Sequence, residues 1–169
     1  TTLDLSSNTV TLPSGTGGKI LQVVSSTKTT STQYNTGQTW TDLGINVSIT
    51  PSSTNSKILV LWQIRATSND RAYVVIDRGG TQLALPNYTG NRINATADSF
   101  YNNADGHVVR GESGTYLDSP ATTSSTTYAL YGRTGSTSGM IRVNYSTGDG
   151  DGYNYGRTSS TITVMEVAA

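Results

Sequence analysis

The chain has 169 residues, which suits one domain able to bury roughly 70% of the surface its unfolded form exposes. Lys plus Arg and Asp plus Glu both number 11, so no net field recruits nucleic acid or an anionic membrane. With no Cys and a single His, the sequence excludes disulfides, thiolate catalysis, Cys-based zinc and His-clustered transition metals.

Hydrophobic residues make up 34% and charged residues 13%, while Ser and Thr fill about 50 positions, far above ordinary usage. Disorder needs high charge, and the abundant Thr, Val, Ile and Tyr favour strands. An all-β domain with a thin core follows, and part of its missing burial is expected from other copies of the chain. No run approaches the roughly 20 apolar residues that span a bilayer and no signal-peptide pattern opens the chain, so membrane insertion is not expected. The opening Thr1 suggests a fragment or processed product, and the lack of Cys fits assembly in a reducing cytosol.

In chain order, residues 1–18 read as an arm and 19–169 as the body. Leu3 and Leu5, then Val10 and Leu12, mark two alternating runs too short to hold alone, which predicts docking on the body or intertwining with neighbouring copies. Residues 14–18 are a flexible, glycine-rich joint. Residues 19–29 are the first predicted strand, with Ile20, Gln22 and Val24 on one face and Leu21 and Val23 on the other. Residues 30–38 form a polar loop carrying Tyr34. Residues 40–50 alternate through Ile45, Val47 and Ile49 until the turn that begins at Pro51. Residues 57–66, with Trp62 among them, predict a central strand buried on both faces. Residues 71–77 and 81–85 pair around Arg78, Gly79 and Gly80, where glycine supplies positive φ. Residues 87–107 are polar and weakly patterned, the first candidate for a recognition surface. Strands are predicted again over 107–110, 114–118, 126–133, 139–145 and 159–167, with a Gly- and Asp-rich loop at 146–155. No helical spacing persists over the ten or so residues a helix needs. The whole predicts an antiparallel β-sandwich, jelly-roll-like, with a short N-terminal β arm.

Candidate chemistry is sparse. His107 stands near Asp105, but no GxSxG elbow accompanies it, and a surface residue at a strand start is the plainer explanation. Asp98, Asp105, Asp118, Glu112 and Glu166 supply carboxylates, yet no spacing singles out the pair a glycosidase needs. Asp149 and Asp151, alternating with Gly150 and Gly152, resemble the front of a calcium loop; Ser160 stands where the closing glutamate would be, and a glycine-held hairpin loop explains the same residues. The sequons at Asn46, Asn87, Asn94 and Asn144 are about as many as chance gives in so Ser/Thr-rich a chain. Tyr34, Trp40, Tyr88, Tyr101, Tyr153, Asn154 and Tyr155 fall in or beside predicted loops, where aromatics stack on sugar faces or anchor a protein interface. Partial burial beneath the loops is the plainer explanation of the same residues.

Several blocks carry a resemblance: residues 18–24 (GKILQVV), 47–53 leading to 57–60 (VSITPSS to KILV), 117–120 with 126–128, and 155–167 (YGRTSSTITVMEV). Together they span nearly all of 19–169 and resemble a β-rich domain of tailed-phage virion structural proteins, cyanophages especially, where it follows fibre-like sequence. The resemblance implies a non-enzymatic tail-fibre or tailspike tip in the virion, a homotrimer assembled in the host cytoplasm. Such a tip contacts other virion proteins and binds a host-surface glycan or protein. A head fibre or capsid decoration protein anchored by its arm is the alternative, and a polysaccharide-cleaving enzyme a third. The resemblance implies no cofactor; calcium, at Asp149 and Asp151, is the one candidate ion and rests on those loop residues alone.

Overall fold

The computed structural model describes residues 19–98, 101 and 106–169. The arm residues Leu3, Leu5, Val10 and Leu12, and Asp105, lie outside them. Among the described residues the chain forms eleven strands: β1 (Ile20–Lys28), β2 (Thr32–Tyr34), β3 (Thr41–Ile49), β4 (Lys57–Ser68), β5 (Ala72–Arg78), β6 (Thr81–Leu83), β7 (Ala97–Asp98), β8 (Arg110–Asp118), β9 (Thr126–Thr134), β10 (Ile141–Val143) and β11 (Ser160–Val167). One sheet runs β1-β11-β4-β10-β2, with β8 also paired to β4; the other runs β3-β9-β5-β6, with β7 also paired to β5. Every ladder is antiparallel. The facing orders β1-β11-β4-β8 and β3-β9-β5-β6 make the double Greek-key wrap of a jelly roll.

Period-2 patterning creates the core. Leu43, Ile45, Val47 and Ile49 of β3 point inward against Ile58, Val60, Trp62 and Ile64 of β4, joined by Ile76, Tyr128, Leu130, Ile162 and Val164. The central strand β4 departs from the two-sided burial expected of it: its inward residues are buried, but Leu59, Leu61, Gln63 and Arg65 on the other face are only half covered, because no further layer lies over that face among the described residues. Residues 107–110 and 114–118, expected as two strands, form the single strand β8 from Arg110 on. Gly114 sits inside it because the Trp62 ring of β4 lies across the position, 3.0 Å from where a Cβ would stand. Glycine there is needed for close approach rather than to end a strand. The polar loops at 30–38 and 87–107 each hold one short strand, β2 and β7.

The register defines two ends. At the base, Ile20 lies opposite Val167, which lies opposite Lys57, and Ala168 N–H donates to the Lys19 carbonyl at 2.7 Å. The turn at 51–56 and the β5–β6 hairpin, with Gly79 and Gly80 at φ 54° and 94°, also belong to this end. At the crown, β3, β5 and β9 begin or end at Thr41, Ala72 and Thr134.

Two buried carboxylates lock the base. Glu166, fully buried on the inward face of β11, accepts from Ser52 N–H (2.7 Å), Ser52 Oγ (2.6 Å) and Gln22 Nε2 (2.6 Å). Burial works to raise its pKa, but the donors from Ser52, Gln22 and Ser56 outweigh burial and hold it at about 2, below the ordinary 4.5. Asp118 ties the sheets together: Arg78 Nη1 donates to both its oxygens (2.8 and 2.6 Å) and the Tyr128 hydroxyl donates at 2.6 Å. Burial pushes the Tyr128 hydroxyl pKa up, and the Asp118 carboxylate pushes it further. Burial opposes the Arg78 charge, which Asp118 more than restores.

Candidate binding face on the crown

Cross-strand pairing brings four unlike side chains into one row across the outer face of the five-stranded sheet. Thr41 of β3 lies opposite Gly132, so Trp40, just before it, meets Arg133, whose Cζ stands 5.7 Å from the Trp40 ring centroid. Arg133 lies directly opposite Tyr73 on β5, and Tyr73 directly opposite Asp98 on β7. Residues directly opposite in an antiparallel ladder share a face, so the row reads aromatic, cation, aromatic, carboxylate. The Arg133 Nε is buried without a hydrogen-bond partner among the described residues.

Two shallow clefts flank β7 and share Tyr73 and Asp98. One, of about 200 Å³, is lined by Arg71, Ala72, Tyr73, Asp98 and Tyr101. The other, of about 270 Å³, is bounded by Tyr73, Pro86, Ile93 and residues 95–98. Thr96 fixes this edge: its N–H donates to the Val74 carbonyl (2.9 Å), and its Oγ1 accepts from Ile76 N–H (3.1 Å) while donating to the Leu83 carbonyl (3.1 Å). One threonine thus closes the gap between β6 and β7 along β5. Tyr101, 40% exposed, is held by a bridge to Ser68 at the end of β4. The largest cleft described, about 360 Å³, lies at the base between Arg78 and residues 122–127, where the Arg78 charge is already met by Asp118.

Of the residues singled out in the sequence, Trp40 and Tyr101 come to this face. Tyr88 sits on the 84–96 segment, 41% exposed, with the Arg92 guanidinium 4.6 Å from its ring centroid and bonded to its hydroxyl. Tyr34 packs on the core and donates its hydroxyl to the Leu43 carbonyl at 2.7 Å, bracing the bulge at Gly44, so it is placed as a structural residue. Tyr153 is fully exposed, Asn154 exposed, and Tyr155 half-buried with its ring 4.7 Å from that of His107. Asp149 pairs with Arg157 while Asp151 is exposed, and no group of three or more His, Asp or Glu side chains gathers among the described residues. Tyr73, Arg133 and Arg71 lie on or beside strands and carry no loop signal in the sequence, whereas Asp98, weighed there as one of several carboxylates, falls within the polar 87–107 segment. Alternation within residues 72–77 does carry the signal, since Ala72, Val74 and Ile76 point inward and leave Tyr73 on the opposite face. Compared with protein-family models and with curated proteins, the chain matches none.

Proposed function

We propose that this chain is the binding domain of a virion appendage, a tail-fibre or tailspike tip, that holds a host-surface glycan across the crown row. The sequence resemblance supports the virion assignment, and the row Trp40, Arg133, Tyr73 and Asp98 carries the ligand class. Sugars present flat C–H faces that stack on aromatic rings and hydroxyl edges that bond to planar guanidinium and carboxylate groups. The clefts are shallow and open, of a size for single sugar units along a chain rather than for an enclosed cofactor. Binding suits them better than cleavage: glycoside hydrolysis uses two carboxylates, and Asp98 is the one acidic residue among the described linings. The crown also lies at the far end of the sandwich from Lys19, where the arm joins, which is the geometry of a tip.

The test is a surface-polysaccharide array probed with the full chain, followed by calorimetry on any hit. Tyr73→Ala and Arg133→Ala each weaken binding at least tenfold, and Tyr153→Ala leaves it unchanged. Retained affinity in both crown variants would move the site elsewhere; silence across the array would remove glycan as the ligand class. Antibody labelling of virions places the domain, and signal over the capsid rather than the tail would favour a head-fibre or decoration role.

A further inference from the structure

The crown row leaves one cation unmatched, and its surroundings say what would complete it. The guanidinium carbon of Arg133 stands 5.7 Å from the Trp40 ring centroid, a cation–π contact that covers one face of the group. Among the described residues its Nε is buried without an acceptor, and no carboxylate forms an ion pair with it. Its neighbours on the sheet do not meet the charge. Asp42, one row towards the base, lies opposite Tyr131 and accepts from Gly44 N–H at 2.7 Å. Asp98 stands two strands away, beyond Tyr73. Arg71, which lines the cleft beside Tyr73, has the Asp70 carboxylate next to it.

We infer, resting on the glycan reading of the crown, that the polymer is an acidic one whose sugar carboxylate docks on Arg133. An arginine fork stacked on one face and shut off at Nε presents its Nη edge, and the two parallel N–H groups there match the two oxygens of a carboxylate. A phosphate or sulfate brings further oxygens, for which the row holds no second cation without a carboxylate beside it. Tyr73, next along the row, offers its ring to the adjoining sugar, and Asp98 beyond it accepts from that sugar's hydroxyl groups. Two strand spacings, about 10 Å in all, separate Arg133 from Asp98, a span that suits an acidic sugar and the neutral one joined to it rather than a single ring. Cation, ring and carboxylate follow in a fixed order, so the row reads the polymer in one direction: reversed, the acid would face Asp98 and be repelled. Positive and negative residues balance over the whole chain, so it neither draws nor repels an acidic polymer from a distance, and recognition falls to this local pairing.

The test prints each surface polysaccharide twice on an array, native and with its carboxylic acids reduced to alcohols, and probes both with the full chain. The polysaccharides that bind should be carboxylated, and reduction should weaken them about ten- to a hundredfold, the worth of one charge-assisted pair. Added salt should weaken binding to the native form more than to the reduced one. Arg133→Gln should lose about as much on the native polymer and nothing further on the reduced one, whereas Arg133→Lys, which keeps the charge without the fork, should fall between. Asp98→Asn should lower binding to both forms alike. The reduction arm uses the parent chain alone, so it decides the matter whether or not the variants fold. A polysaccharide bound equally before and after reduction, yet lost with Tyr73→Ala, would overturn the acid and leave the glycan reading standing. A reduction penalty that persists in Arg133→Gln would place the acid on another residue, and silence on both printings would remove the glycan reading and this inference together.

Discussion

Glu166 shows how much a single side chain contributes when burial and donors oppose each other. Its folded pKa of about 2 lies below the ordinary 4.5 that an unfolded chain would show, so its stabilisation is complete above about pH 4.5 and is lost as pH falls towards 2. Melting temperature measured against pH should therefore drop over that window, and Glu166→Gln should lose most of that drop while being less stable at neutral pH by about 2–3 kcal/mol. An unchanged acid limb in the variant would assign the acid sensitivity to other carboxylates. Asn144 is the second such residue. It is fully buried at φ 69°, donates to the Lys28 (2.8 Å) and Thr30 (3.1 Å) carbonyls, and accepts from Ser160 Oγ at 2.6 Å. Its backbone N–H donates to the Arg65 carbonyl at 2.7 Å, so one residue ties β1, β4, β10 and β11. Asn144→Ala should cost about 3 kcal/mol, or about 10 °C in calorimetry, because Lys28 and Thr30 lose their donor and alanine is strained at that φ. A shift of a degree or two would show that water replaces the side chain.

At the scale of elements, the β4–β8 ladder is the most constrained pairing, because a large side chain on one strand is matched by none on the other. Gly114→Val should cost about 1–3 kcal/mol by driving the Trp62 ring off its position, read as a lower melting temperature with a blue- or red-shifted Trp emission. Unchanged emission would mean that the strand, not the ring, gives way. Trp62→Val in that background should recover part of the loss.

The same ladder shows what could be read in the sequence. Strands with strict alternation, such as β3 and β11, were legible to within a residue or two, because one buried face dictates every second side chain. β8 was divided in two because glycine in a sequence marks either a turn or a close approach, and only the neighbouring Trp62 decides which. β2 and β7 carry too few residues for a period. The crown was partly legible: Trp40 and Tyr101 stand out as loop aromatics and Asp98 as one of several carboxylates, whereas Tyr73 and Arg133 join them only through register, which brings residues 73, 98 and 133 together. Asn144 reads in the sequence as one of four sequons, and nothing local marks it as a buried hub.

For the whole molecule, the two sheets divide their labour. The five-stranded sheet shows solvent a charged and aromatic face ending in the crown, and the six-stranded sheet shows an apolar and hydroxyl-rich one.

The pairing of Lys19 with Ala168 has a mechanical meaning. Both ends of the body leave from neighbouring strands at the base, so tension applied between them would peel β1 from β11 one hydrogen bond at a time. Tension between the arm and something gripped at the crown instead runs along the strands, where the ladder bonds are loaded together in shear. A fold wired this way gives little resistance to being unzipped from its own ends and much to being pulled away from whatever it holds.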